Sequence, residues 1–202
     1  MDLRFTRRRI SFSKELNELD RLALDFSAIL RRQRVHHVFV AGYVAILFGR
    51  SRVSEDIDVL TEEITATRFG TLWNGLTRRF ECQNASTPET AFRDYLDDGL
   101  ALRFSPPGQA IPNVEVKFGR TDTHKWSLRE PVEVVVNRRR LAIGPMELQI
   151  AYKVWLGSDK DNEDARHLFR LFEERLRRAE LIRALRALKV PLEKAGEVLG
   201  WP

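Results

Sequence analysis

Residues 40–60 read VAGYVAILFGRSRVSEDIDVL, and the rest of the chain is best read outward from them. The run HVFVA at 37–41 is short, apolar and β-branched, which predicts a buried strand. Residues 43–48 are apolar and bounded by Gly42 and Gly49, a length that suits a short helix. Arg-Ser-Arg-Val-Ser follows. DIDVL at 56–60 then alternates like a strand, with Asp56 and Asp58 on one face and Ile57 and Val59 on the other. Gly42 stands directly after a strand, where a backbone without Cβ lets a phosphate approach a helix N-terminus. Two carboxylates two residues apart on one strand repel each other unless a divalent cation lies between them. Magnesium accepts carboxylate and phosphate oxygens together, so Mg2+ (or Mn2+) is the expected cofactor.

The surrounding pattern is mixed. Residues 14–34 and 65–79 carry apolar side chains at helical spacing, while 100–104, 113–118 and 132–136 read as strands. Residues 106–108 (Pro-Pro-Gly) form a loop or hairpin connection between two of them. After Pro145 the pattern turns helical, at 146–156, 161–178 and 180–188, with a short last helix from Pro191. The expected fold class is α+β: a mixed β-sheet flanked by helices, followed by a C-terminal helical bundle. The expected division is a core at 1–144 with an N-terminal helix, and a helical region at 145–202.

The order Gly42, Gly49, Arg52, Ser54, Asp56, Asp58 between strands resembles the nucleotidyltransferase superfamily. That family's signature is a glycine pair, a short helix, then Asp-x-Asp. Here the glycine pair is Ala41-Gly42, so a Tyr43 amide or side chain is expected to share in holding phosphate. The family's third acid comes from a neighbouring strand. Glu115, in NVEVKF, is the candidate, with Lys117 on its face. Downstream, Gly144-Pro145-Met146 leads to Lys153, and Asp159-Lys160-Asp161-Asn162-Glu163-Asp164 follows. This is similar to the AbiEii/MenT-type nucleotidyltransferases, toxins of type IV toxin–antitoxin and abortive-infection systems.

The resemblance implies a nucleoside triphosphate (NTP) as substrate. Gly42, Arg52 and Lys153 would bind its phosphates, and Asp56, Asp58 and Glu115 would bind metal. One of Asp161 and Asp164 would orient Lys153 or touch the nucleotide. It further implies an RNA acceptor, notably tRNA, and a cognate antitoxin. Plainer readings stand beside these. Lys153 can snorkel to solvent. Asp161 and Asp164 can serve as helix-start acids. Arg50 and Arg52 can be solvated, and Ser54 can touch phosphate or cap the turn before Asp56. Two other functions fit as well: nucleotidyl transfer to a small molecule such as an aminoglycoside, and a catalytically weak nucleotide-binding or antitoxin-type module. Ala41 and Glu115 are the departures that allow the second.

Composition narrows the setting. The chain has 202 residues, 43% hydrophobic and 31% charged, which are globular values. One cysteine, Cys82, leaves no internal disulfide or cysteine zinc cage, so a reducing, cytoplasmic compartment is expected. Its expected use is as a small buried apolar residue. No apolar run approaches a membrane span. The first ten residues, with Arg4, Arg7, Arg8 and Arg9, lack the apolar core of a signal peptide. His36, His37, His124 and His167 show no ligand spacing. Trp73, Trp126, Trp155 and Trp201 read as packing residues rather than a base-stacking platform.

The net charge is +5, and 27 of the 34 basic residues are arginine. Residues 1–60 carry 11 basic and 8 acidic side chains, 61–130 carry 9 and 10, and 131–202 carry 14 and 11. Positive charge therefore gathers at both ends, a layout that would draw a polyanionic acceptor. Arg138, Arg139 and Arg140 form either a hairpin turn or an RNA contact.

Overall fold

The computed structural model describes residues 2–6 and 8–201; Met1 and Arg7, from the arginine-rich start, and Pro202 lie outside the described residues. The strands are β1 (Arg4–Thr6), β2 (Arg9–Phe12), β3 (His37–Val40), β4 (Asp56–Thr61), β5 (Glu81–Cys82), β6 (Leu102–Ser105), β7 (Asn113–Phe118), β8 (Val132–Val136) and β9 (Arg139–Ile143). They form one mixed sheet in the order β1-β2-β8-β9-β3-β4-β7-β6-β5. The helices are α1 (Glu18–Arg32), α2 (Gly42–Leu47), α3 (Ala66–Leu76), α4 (Pro88–Ala91), α5 (Asp122–Arg129), α6 (Met146–Leu156), α7 (Asp159–Phe172), α8 (Arg178–Ala187) and α9 (Leu192–Leu199). A π-helical turn extends α4, and a 3-10 turn extends α7. No helix among the described residues is long and apolar enough to cross a membrane.

The expected elements are present with shifted ends. The first helix begins at Glu18 rather than near residue 14, because Asn17 accepts from the Asp20 amide and Asp20 accepts from the Asn17 amide. That reciprocal cap fixes the start. The arginine run resolves as a hairpin: Asn137 and Arg138 turn with positive φ, and Arg139 and Arg140 open β9. Strands β1, β2, β5 and β9 and helices α4 and α5 are additions to the sequence reading.

Alternation gives the sheet two unlike faces. Phe39, Ile57, Val59, Val114, Val116, Val134 and Leu141 enter the main apolar core. Their neighbours on the other face include Arg9, Arg103, Asp56, Asp58, Glu115, Lys117 and Arg140. Helix α5 crosses this second face, where Leu128 packs on Val38 and Leu60. The main core continues from the sheet into the C-terminal helices. Phe172 sets its ring edge-on to Phe48 at 4.9 Å and to Phe5 at 5.9 Å.

Between β3 and α2 the backbone makes a sharp turn at Ala41, with φ 59° and ψ −132°. This is conformational space that side chains with a Cβ avoid, at a cost on the order of 1–3 kcal/mol. The Ala41 amide donates to Gln149 Oε1 at 3.1 Å, which ties the turn to α6. Ala41→Gly should therefore raise stability by about 1 kcal/mol, or roughly 2–4 °C in Tm. Thermal unfolding followed by circular dichroism checks this; an unchanged or lower Tm would mean that the turn is not strained.

Candidate active site

The turn at Ala41 and the return strand β4 bring the signature residues together. β3 and β4 are antiparallel with Val40 opposite Asp58, and β4 and β7 are parallel with Asp58 level with Glu115. Asp56, Asp58 and Glu115 thus share one face on adjacent strands, as the period-2 reading required. Ser54 Oγ donates to Asp56 Oδ1 and to the Asp56 carbonyl, both at 3.3 Å, so it caps the turn into β4.

The carboxylates differ in setting. Burial first, and the adjacent Asp56 second, push the Asp58 carboxyl up to about 6; Glu115 adds to this, while Lys117 and Lys153 pull the other way. Glu115 is engaged by a cation. Arg103, its cross-strand partner on β6, donates to Glu115 Oε1 at 2.8 Å. No group of three His, Cys, Asp or Glu side chains converges as a ready metal cage among the described residues. The donor chemistry of the aspartate pair fits a divalent cation, since its crowded negative charge is poorly compensated. The third ligand expected at Glu115 is instead held by an arginine.

The expected phosphate-binding cations are also engaged. Lys153 is 3% exposed and Asp164 fully buried. Lys153 Nζ lies 2.6 Å from Asp161 Oδ1 and 3.0 Å from Asp164 Oδ2. Arg52 forks onto Asp164, with Nη2 2.9 Å and Nε 3.1 Å from its carboxylate oxygens. Arg50 Nε approaches the same carboxylate at 3.5 Å, and Arg50 also pairs with Glu163. This cluster forms because α6 and α7 meet in a tight corner. Gly157 takes the left-handed conformation that ends α6, and Ser158 caps α7. Ser158 Oγ donates to Asp161 Oδ2 at 2.5 Å. Burial alone would raise the Asp161 carboxyl, but the hydrogen bonds from Lys153 and Ser158 outweigh it and hold it below the usual range.

Gly42 is the contact point between this cluster and the turn. A Cβ there would lie 2.6 Å from Arg52 Nη2, so the guanidinium occupies the room that glycine leaves.

Four sequence expectations change here. Tyr43 does not present its side chain to phosphate: it is buried, and its hydroxyl donates to Asp20 Oδ1 at 3.2 Å. Lys153 is not a snorkelling lysine, because two buried carboxylates enclose its ammonium. Trp155 is 49% exposed and stacks on Tyr152 at 5.4 Å, so it is not a core residue. Cys82 is half-buried rather than fully buried.

Residues that the sequence reading passed over also gather beside Asp58. A cavity of about 180 Å3 lies between α5, α6 and the sheet, lined by Asp58, Lys117, His124, Gln149 and Tyr152 among others. Burial and Lys117 lower the His124 pKa, and its Nδ1 is buried without a hydrogen-bond partner. Tyr152 follows Lys153 directly on α6, and burial, then Asp58 and Asp161, raise its pKa. Only the helix α5, not foreseen in the sequence, could have flagged His124.

No family model matches the sequence, and no curated protein matches it. Among solved structures, an antigenic nucleotidyltransferase-like protein from Paracoccidioides brasiliensis superposes with a TM-score of 0.55 at 17% identity, covering 91% of this chain and 92% of that one. A candidate nucleotidyltransferase from Thermotoga maritima gives 0.47 at 16% identity, over 78% and 94%. JHP933 from Helicobacter pylori gives 0.48 at 15%, over 92% and 78%. The first of these likenesses shows a nucleotidyltransferase-like fold.

Two outcomes follow from the site's electrostatics. A raised carboxyl destabilises the folded state at pH values above its folded pKa, and the penalty fades as pH falls through about 6 toward 4. Asp58→Asn should therefore stabilise the ligand-free protein by on the order of 1–3 kcal/mol at pH 7.5 and have little effect at pH 4, read from denaturant melts. Lys153→Met leaves Asp161 and Asp164 buried without their ammonium, and should cost about 3–5 kcal/mol. A thermal scan in which this variant melts like the parent would show that Lys153 is not structural.

Proposed function

We propose that this chain is a magnesium- or manganese-dependent nucleotidyltransferase that moves a nucleoside monophosphate from an NTP to an acceptor hydroxyl, with RNA, notably tRNA, as the acceptor. The observation that carries this reading is the shared face of Asp56 and Asp58 beside the Ala41-Gly42 turn. Asp56 and Asp58 would hold the cation. When bound, it would lower the barrier to attack on the α-phosphate and ease pyrophosphate release. Arg52, lying over Gly42 with its fork held by Asp164, would supply positive charge beside the phosphates. Lys153 supplies positive charge from behind, fixed by Asp161 and Asp164. The basic ends of the chain favour a polyanionic acceptor over a small one.

The downstream Lys153 and Asp161–Asp164 pattern supports the AbiEii/MenT-type toxin reading, with a cognate antitoxin as partner. Growth arrest on expression, relieved by a neighbouring gene's product, would test that role.

A second reading has its own support: Glu115 is held by Arg103, and Arg52 and Lys153 are both held by Asp164. A site so engaged suits a protein that binds nucleotide and turns it over poorly.

The test uses each α-32P-labelled NTP with Mg2+ or Mn2+, against bulk tRNA and against aminoglycosides. Label should enter tRNA and fall to background in Asp56→Asn and Asp58→Asn. Full labelling by both variants would refute the mechanism. Label on the aminoglycoside alone would move the acceptor to a small molecule. Tight NTP binding without pyrophosphate release would favour the weak-turnover reading.

A further inference from the structure

Two open concavities share Arg31 and Arg140. The first, about 770 Å3, is also lined by Arg8, Arg9 and His36. The second, about 500 Å3, adds Arg32, Arg138 and Arg139. Across both linings one carboxylate, Glu133, faces seven arginines. Arg9 and Arg140 lie 2.5 and 3.7 Å from it, and Arg139 pairs at 2.6 Å with Asp25. Arg8, Arg31, Arg32 and Arg138 are exposed, and no carboxylate pairs with them among the described residues. Like charges gathered this closely repel each other, and the field they create favours a polyanion.

Sheet register places this groove relative to the aspartates. Arg9 and Arg140 alternate onto the same face as Asp56 and Asp58. Phe39 pairs with Ile143 and Val40 with Asp58, so Gly144 is level with Asp58 and Arg140 lies four residues back. Two strand steps and four residues make a separation of roughly 16 Å. A few nucleotides of RNA span that distance.

We propose that this arginine groove is the docking surface for the phosphate backbone of RNA whose reactive end reaches Asp56 and Asp58. The proposal rests on the reading of RNA as acceptor. The groove is built from arginine without lysine, and guanidinium forks match phosphate oxygens two at a time. None of the large exposed apolar residues, such as Trp155, Leu156 and Val53, lies in it. Its apolar lining, Val35, Pro131, Leu141 and Ala142, presents no large exposed side chain of the kind a protein hot spot or a membrane surface uses.

The experiment is fluorescence anisotropy with labelled tRNA and a labelled single-stranded RNA over a range of salt. It compares the parent with Arg31→Gln/Arg32→Gln/Arg138→Gln/Arg140→Gln. A control, Arg170→Gln/Arg186→Gln/Lys189→Gln/Lys194→Gln, removes the same charge from exposed sites in the C-terminal helical region. All three proteins are first matched by thermal melting and by NTP affinity. The groove variant should bind RNA at least about tenfold more weakly at 0.1 M salt, with a log–log salt slope shallower by about 3, and the control should stay close to the parent. Equal losses in both variants would reduce the effect to net charge and overturn the groove. Displacement of RNA by poly-glutamate at equal charge would overturn the preference for phosphate. RNA labelled as fast by the groove variant as by the parent would sink the docking surface alone, whereas label on aminoglycosides and not on RNA would sink the acceptor reading beneath it.

Discussion

Asp164 has no exposure to solvent, and a buried carboxylate keeps its charge only with cations around it. Here the cations are Lys153 from α6 and Arg52 from the segment that leads into β4, with Arg50 beside them. One buried group thereby pins three parts of the chain. The Arg52 guanidinium reaches it by passing over Gly42, so the same contact fixes the Ala41-Gly42 turn against the entry to β4. The aspartates stand where they do because that entry is held. The helical segment thus acts as the anchor of the site as well as its neighbour.

The charge distribution has a consistent logic. The cations near the aspartates are mostly occupied: Arg52 and Lys153 by Asp164, Arg103 by Glu115. Arg8, Arg31, Arg32 and Arg138 have no carboxylate partner among the described residues. The first group shapes the site before any ligand arrives. The second offers an open surface that meets the aspartates' face of the sheet at Arg140. Net charge alone could not separate these roles, since both groups count equally toward +5.

Much of the site was legible in the sequence because its signals are local. A strand alternates with period two, so Asp56 and Asp58 had to share a face, and a short apolar segment between glycines had to make a compact helix. Pairing between distant strands is not local. Nothing in NVEVKF says that Glu115 sits level with Asp58, or that Arg103 on the next strand takes its carboxylate. Lys153 is the one cation of α6, but its burial and its partners depend on the Gly157-Ser158 corner. β2 and β9 were missed because arginines occupy their outward positions and mask the alternation. α5 was missed because its eight residues are mostly polar.

The central claim is that Asp56 and Asp58 together hold a divalent cation against an NTP. A crystal structure with Mn2+ and a non-hydrolysable NTP tests it most directly. The account predicts anomalous density between the two carboxylates, with the triphosphate against Gly42 and Arg52. Manganese absent from the pair, with the nucleotide bound elsewhere, would contradict it.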